Sequence, residues 1–379
     1  MLFQLSEEQL MIQQAARDFA QSELKPGVIE RDEHQKFPAE QVKKLGELGF
    51  LGMMVSETYE GSGLDALSYV LVMEELSKID ASASVVVSVN NSLVCYGLEA
   101  FGSEAQKEKY LKPLASGRQI GAFCLSEPEA GSDATSQQTT AEDKGDYYLL
   151  NGTKNWITNG GTASTYLVIA QTHKELKHKG INAFIVEKGM EGFTIGPKEN
   201  KLGIRGSDTH SLMFNDVKVP KENRIGEDGF GFKFAMKTLE GGRIGIAAQA
   251  LGIAAGAYEL ALEYSKQRKT FGKPIHEHQS IAFKLADMAT QIEAARLLVY
   301  KAAWLKDQGQ SYTLAGSMAK LFASKVAMDV TIEAVQIHGG YGFVKEYHVE
   351  RLMRDAKITQ IYEGTSEIQK VVISRDILR

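Results

Sequence analysis

The chain has 379 residues, 43% of them hydrophobic and 24% charged, with a formal net charge of −5. That length allows two or three domains around a sizeable core. The acidic balance argues against nucleic acid or an anionic membrane as the main partner, while 43 Lys and Arg residues leave room for a local site that takes a phosphorylated small molecule.

The N-terminus, MLFQLSEEQLM, has no basic start and no apolar signal core, and it reads as the run into a helix. Ser6 and Gln9 have capping-box spacing, and Leu10 and Phe19 then suit one buried face. PAEQVKKLGELGFLG places proline at a first helical turn and ends in glycine. YVLVMEEL and ASVVVSVNNSLVCYGLEAFG are apolar enough for buried helices, and SEAQKEKYLKPLASG offers a second capping box at Ser103 and Gln106. The first 119 residues are therefore predicted to form an all-α domain.

From residue 120 the period changes. GAFCLSEP, DYYLLNGTKNWITNG, STYLVIAQT, INAFIVEKG and HSLMFNDVKVP are short β-rich runs punctuated by Gly, Asn and Asp. They predict a small antiparallel β-barrel or sandwich domain over residues 120–226. Helical periodicity returns over 227–379, with long segments at 244–268, 280–309 and 312–338, a short one at 349–356 and a last one from 366. Packed antiparallel, such helices make a four-helix bundle. The fold class is thus α+β multidomain: helices, then strands, then helices, without the βαβ alternation of a doubly wound sheet. No internal repeat is visible, and no run reaches the ~18 uninterrupted apolar residues of a membrane span. Cys95 and Cys124 have no Cys or His at metal spacing, which predicts small buried hydrophobes in a reducing compartment.

Four sets of residues carry chemistry. LSEPEAGSDA (125–134) mixes small residues and hydroxyls after a strand, so that backbone and hydroxyl donors can approach a flat ligand; alone it is an ordinary turn. In KNWITNGG (154–161), strand alternation puts Trp156 and Thr158 on one face, an indole to cover a ring and a hydroxyl to donate to it. The plain alternative is a core Trp. RKTFGK (268–273) and QIHGGYGF (336–343) each follow a long helix. Arg268, the Thr270 hydroxyl and the flexible Gly339–Gly340 pair suit a pyrophosphate, although a lone basic residue is more often a solvated face. His338 reads as a packed histidine. His276 and His278 lack a third ligand, so no metal site is expected. Last, TQIYEGTSEIQ (359–369) sets Glu363 between apolar Ile361–Tyr362 and Gly364, just before a helix start capped by Ser366 and Gln369. The helix N-terminus lowers the pKa of such a carboxyl and burial raises it. Burial is expected to win on ligand entry, which makes Glu363 a candidate base.

Together these segments resemble the signatures of the acyl-CoA dehydrogenases, in family order and spacing over the whole chain, and most resemble the short-chain (butyryl-CoA) branch. The resemblance implies FAD as cofactor and the α,β-dehydrogenation of a short-chain acyl-CoA to a trans-2-enoyl-CoA. It implies electron-transferring flavoprotein as the acceptor and a homotetramer built as a dimer of dimers. By the same resemblance Glu363 is the catalytic base. Leu125, Ser126, Trp156 and Thr158 meet the flavin, and Ser132 meets flavin or the pantetheine arm. Arg268, Thr270, Phe271, Gln279, Gln336, Gly339 and Gly340 reach the ADP half, with Arg268 and Gln336–Gly340 coming from a neighbouring subunit. Thr365 and Glu367 complete the cofactor set, while Glu240, Arg243, Tyr362 and Gly364 bind substrate. In some branches the base sits on the long helix before an Arg; here the stretch is LEGGR, with Gly242 at that place, so the role falls to Glu363.

Three other readings stay open. Medium-chain or branched substrates are one. An acyl-CoA oxidase is another, although such enzymes usually carry a further C-terminal domain and this chain stops at Arg379. A silent flavoprotein scaffold is the third. The absence of a targeting segment predicts a bacterial cytoplasm, or the mitochondrial matrix for a processed eukaryotic protein.

Overall fold

The computed structural model describes residues 4–378. Met1, Leu2 and Phe3, read above as part of the run into the first helix, lie outside them. Both expected capping boxes form. Ser6 caps the Glu7–Phe19 helix and Ser103 caps Glu104–Gln106, each with its Gln reaching back. Pro38 is the N-cap of the Ala39–Glu47 helix rather than a first-turn residue. The apolar run from Ala81 continues as one helical path through a wide π-turn at Val89–Cys95 to Tyr96–Phe101. That turn buries two amides as ties. Asn90 donates to Leu51 O (2.8 Å) and Leu114 O (3.0 Å), and Asn91 donates to Phe50 O (2.8 Å).

The sheet comprises β1 (Gly121–Cys124), β2 (Thr140–Asp143), β3 (Tyr147–Thr158), β4 (Thr165–Gln171), β5 (Ile181–Glu187), β6 (Phe193–Lys198), β7 (Thr209–Pro220) and β8 (Arg224–Ile225). Its order is β6-β7-β3-β2-β4-β5-β8, with β1 also beside β4. Most pairs are antiparallel as expected, but β1 runs parallel to β4, and β2 meets β4 in parallel at Thr140–Gln171. The sheet is therefore mixed. The polar strands β2 and β6 did not stand out by alternation, because they are only partly buried. β4 is buried on both faces. Leu167 and Ile169 join Phe234 and Ala235 in one core, while Tyr166 and Val168 join Tyr148, Phe184 and Leu212 in another.

The long helices span Gly231–Gln267, Gln279–Asp307 and Thr313–His338, followed by His348–Ile358 and Ser366–Ile377. The first begins thirteen residues before the expected start at 244, since the glycine pair Gly241–Gly242 lies inside it. Its Ala/Gly stripe lets the Ala66–Ile79 helix approach to backbone contact: a Cβ on Gly252 would sit 2.4 Å from Glu74 O. The Ala81–Phe101 path and the Gly231–Gln267 helix are long and apolar enough to cross a membrane by composition, but 94% and 83% of their apolar windows are buried in the protein. Both cysteines are buried and free.

Candidate active site

Glu363 sits in a tight turn between the last two helices. Its φ is +50° and that of Gly364 is +92°. A left-handed glutamate costs roughly 1 kcal/mol or more, and such strain clusters at functional sites. The turn is held from three sides. Gln369 Nε2 donates to Gly364 O at 2.9 Å and reaches Glu363 O at 3.4 Å, and Lys320 Nζ donates to Gly364 O at 2.6 Å. Tyr362 packs below, its hydroxyl donating to Gln249. The expected Ser366–Gln369 capping box is not formed. Thr365 is the N-cap and accepts from Ile368 N at 3.3 Å, because Gln369 is spent on the turn. Among the described residues the Glu363 amide has no acceptor.

The carboxylate points at the long helix. Glu363 Oε2 is buried without a hydrogen-bond partner. A Cβ built on Gly242 would lie 1.9 Å from that oxygen and 2.9 Å from Leu93 Cδ2. Glycine at 242 is therefore what makes room for the carboxylate. Burial pushes the Glu363 pKa up to about 7, against the opposing positive charges of Lys320 and Arg243. The expected contest thus goes to desolvation, with cations rather than the helix N-terminus opposing it. Arg243 is itself buried; it donates to Ser317 Oγ at 3.4 Å and leaves Nε unpartnered. Glu240, one turn earlier, is partly buried and accepts from Lys237 at 3.2 Å.

The β-domain segments also meet. Asn155 N donates to Ser126 O at 2.9 Å, which seats Leu125 and Ser126 against β3. Trp156 is exposed and Thr158 partly buried, but simple alternation does not hold along this part of the strand. An extra residue in β3 between Lys154 and Ile157 shifts the register, and Trp156 adopts φ +57°. Without this bulge both residues would keep the parity of buried Tyr148, Leu150 and Lys154. Trp156 is 56% exposed. Ser132 lies on the exposed part of the 125–138 loop, apart from these contacts.

A second patch joins the hairpin after the long helix to the end of the Thr313–His338 helix. Arg268 lies over the Tyr341 ring at 5.6 Å. His338 is buried, stacked on Tyr264 at 4.2 Å, with Nδ1 2.8 Å from Ala334 O, as a packed histidine should be. Thr270 Oγ1 is 3.3 Å from His278 Nε2. Phe271 forms the hairpin tip at φ +51° and is 97% exposed. Gln279, Gln336, Gly339 and Gly340 are all exposed around it. Thr365 and Glu367 belong to the Glu363 side, as N-cap and first-turn residue of the last helix. No group of three or more His, Cys, Asp or Glu able to hold a metal occurs among the described residues.

Family models for the N-terminal, middle and C-terminal domains of acyl-CoA dehydrogenase match residues 6–118, 122–217 and 229–378. The chain belongs to the acyl-CoA dehydrogenase family. Among its dehydrogenase relatives, the "Acyl-CoA dehydrogenase, short-chain specific" of Clostridium acetobutylicum is 54% identical over 377 residues, covering 100% of both chains. The mitochondrial short-chain specific enzyme of Mus musculus is 50% identical, covering 99% of this chain and 91% of that one. The solved butyryl-CoA dehydrogenase of Megasphaera elsdenii superposes with a TM-score of 0.98 at 54% identity over 100% of both chains. A chain from structural work on the electron transferring flavoprotein of Acidaminococcus fermentans superposes at 0.99, with 54% identity and 100% coverage of both.

Two further residues of this acyl-CoA dehydrogenase, Lys154 in KNWITNGG and Glu127 in LSEPEAGSDA, shape the site without a local signal in the sequence. Lys154 Nζ is 2.6 Å from Glu127 Oε1, and it also donates to Gln137 Oε1 (2.5 Å) and Leu125 O (3.1 Å). All three side chains are buried. Glu127 in turn accepts from the amides of Gln138 (2.5 Å) and Thr139 (3.1 Å). Lys320 carried no motif, and its place against Gly364 depends on helix packing alone.

Proposed function

We propose that the chain oxidises short-chain acyl-CoA thioesters to their trans-2-enoyl forms, with Glu363 as the base. The observation that carries this is the partnerless buried Oε2 of Glu363, held on a strained turn opposite a glycine that leaves it space. FAD, when bound, supplies the acceptor for the hydride from Cβ. The residues present fit such a ring: Trp156 offers an exposed indole, and Ser126 and the Leu125 carbonyl are tied to the neighbouring Asn155 and Lys154 of the strand that also carries Thr158. Arg268, Thr270, Phe271, Gln279, Gln336, Gly339 and Gly340 would hold the ADP half of the cofactor, Arg268 and Gln336–Gly340 reaching that of a neighbouring subunit, with Ser132, Thr365 and Glu367 in supporting places.

Glu363 takes the α-proton. A carboxyl poised near neutrality is a better base for a carbon acid than a solvated one, because its proton affinity is higher. The unpartnered Glu363 amide is free to donate to the thioester oxygen as enolate character grows. Tyr362 and Gly364 frame the acyl chain. Arg243 lies close enough to Glu363 for its charge to act on the base, and Arg243 and Glu240 would hold the CoA arm. Electrons then pass to electron-transferring flavoprotein, and the working form is a homotetramer in the bacterial cytoplasm.

A series of acyl-CoAs of increasing length with an artificial electron acceptor tests the reading. Turnover should peak near butyryl-CoA; absence of turnover with every length overturns it. Slow reoxidation of the substrate-reduced enzyme by air separates a dehydrogenase from an oxidase.

Gly242→Ala should keep the fold and FAD but lower kcat about 100-fold, since displacing a reacting group by ~1 Å costs that much. Unchanged kcat would mean that the carboxylate does not use this space. Arg268→Ala should reduce retained flavin after gel filtration more than it raises KM for butyryl-CoA, because Arg268 lies on the second patch and not beside Glu363. Unchanged flavin content would remove Arg268 from the cofactor site. Sedimentation of the same variant reports whether the patch, with its bare Phe271, joins subunits.

A further inference from the structure

Lys320 is the anomaly of the site. It lies in the interior of the Thr313–His338 helix with no exposed surface. Lysine is almost never fully buried unless it is paired, and among the described residues no carboxylate lies within ion-pair distance of its ammonium. Its hydrogen-bond acceptor is the Gly364 carbonyl, at 2.6 Å. Gln369 already serves that carbonyl at 2.9 Å, so a further neutral donor would have been enough to fix the turn. A charge was not needed for anchoring and is costly to bury.

What the charge meets is Glu363, one residue before the anchored carbonyl. Burial lowers the Lys320 pKa to about 8, with Glu363 opposing that and Arg243 adding to it. The ionisable groups facing Glu363 come from four elements. Lys320 comes from Thr313–His338, Arg243 from Gly231–Gln267, Tyr69 from Ala66–Ile79, and Tyr362 from the turn itself. Glu367, in the first turn of the last helix, acts on Lys320. Of these, Lys320 and Arg243 favour the carboxylate.

We propose that Lys320 is a positioning residue for Glu363: its ammonium anchors the strained 363–364 turn and, with Arg243, supplies the positive field that lets a carboxylate persist out of water. This rests on Glu363 being the base. The role has two separable halves, the hydrogen bond and the charge.

Lys320→Gln keeps a donor and removes the charge; Lys320→Met removes both. The FAD-loaded enzymes are compared by the pH dependence of kcat/KM with butyryl-CoA. In both variants the acid limb should move up by about one pH unit, so that turnover a unit below the wild-type midpoint falls about tenfold and recovers at high pH. Only Lys320→Met should also lower the plateau, through a loosened turn. A Lys320→Gln limb that coincides with wild type overturns the charge role. A second readout needs no turnover. The infrared band of the protonated Glu363 carboxyl, identified by its loss in Glu363→Gln, is titrated in each protein, and its midpoint should rise in Lys320→Gln. If both lysine variants fail to retain FAD, Arg243→Lys and wild type are titrated instead. An Arg243→Lys midpoint equal to wild type leaves Arg243 in place, and a Lys320→Gln band in the flavin-free protein that titrates with wild type then overturns the charge role. Should wild type not oxidise butyryl-CoA, and Glu363→Gln change nothing, the assignment of the base falls. Should those behave as expected while Lys320→Gln matches wild type, the role of Lys320 alone falls.

Discussion

Glu363→Gln is expected to lower dehydrogenation by roughly 10^4-fold while FAD content and acyl-CoA affinity stay within a few fold. The substitution is nearly isosteric, so the turn held by Lys320 and Gln369 survives. What is lost is the group that accepts the α-proton, and a positioned base accounts for about 10^2–10^4 in rate. The coupled hydride step places this case at the upper end. Stopped-flow bleaching of the flavin by butyryl-CoA measures it, and bleaching within tenfold of wild type would remove Glu363 from the mechanism. The same variant should be more stable at alkaline pH. Glu363 has a native pKa near 7 against 4.5 for the free group, so the native state binds its proton more tightly than the unfolded chain does. Wild-type stability therefore falls as pH rises from 4.5 to 7, by up to about 3 kcal/mol, the opposing charges of Lys320 and Arg243 being already contained in that shift. Gln has no such term. Melting curves should separate at pH 8 and converge below pH 4.5; curves that coincide throughout would mean that the carboxyl is solvated.

Lys154→Met should be the most destabilising single change among these residues. It strands the Glu127 carboxylate, which lies 2.6 Å from the ammonium with both groups out of water. Removing one partner of a buried pair costs about 3–5 kcal/mol. The melting temperature should fall by roughly 5–10 °C. Burial lowers the Lys154 pKa to about 8, with Glu127 opposing it, so the pair is strongly coupled. Adding Glu127→Gln to Lys154→Met should recover part of the loss, because it removes the stranded charge; the recovery stays partial because Gln138 N and Thr139 N use different carboxylate oxygens and Gln offers only one. Flavin should also leak faster, since Lys154 ties Leu125 to the strand that carries Trp156 and Thr158. An unchanged melting temperature would show that water replaces the ammonium.

How far the sequence carried the structure depended on the range of the interaction. Ser6–Gln9 and Ser103–Gln106 were legible because a cap is made by neighbours three residues apart. The same signal misled at Ser366–Gln369, where a tertiary demand from the 363–364 turn recruited Gln369 first. Glu363 was legible through its motif. Its environment was not: Gly242, Arg243 and Lys320 arrive from two other helices. Alternation assigns Trp156 and Thr158 to one face, yet a bulge between Lys154 and Ile157 interrupts that alternation, and nothing local encodes it. Glu127 and Lys154 stood in two quoted motifs, and nothing local links residues 27 apart.

The Gly231–Gln267 helix has one more implication. Phe234 and Ala235, near its start, share a core with Leu167, Ile169, Ile181 and Ile185 of the sheet, whereas Ile244 through Ala261 share another with the Ala66–Ile79 helix and the later helices. A single rod is thus embedded in both. Scission near residue 226 would strip a plug from one half and leave a greasy stub on the other, so the three segments of the gene are not interchangeable modules. The shared rod couples their melting.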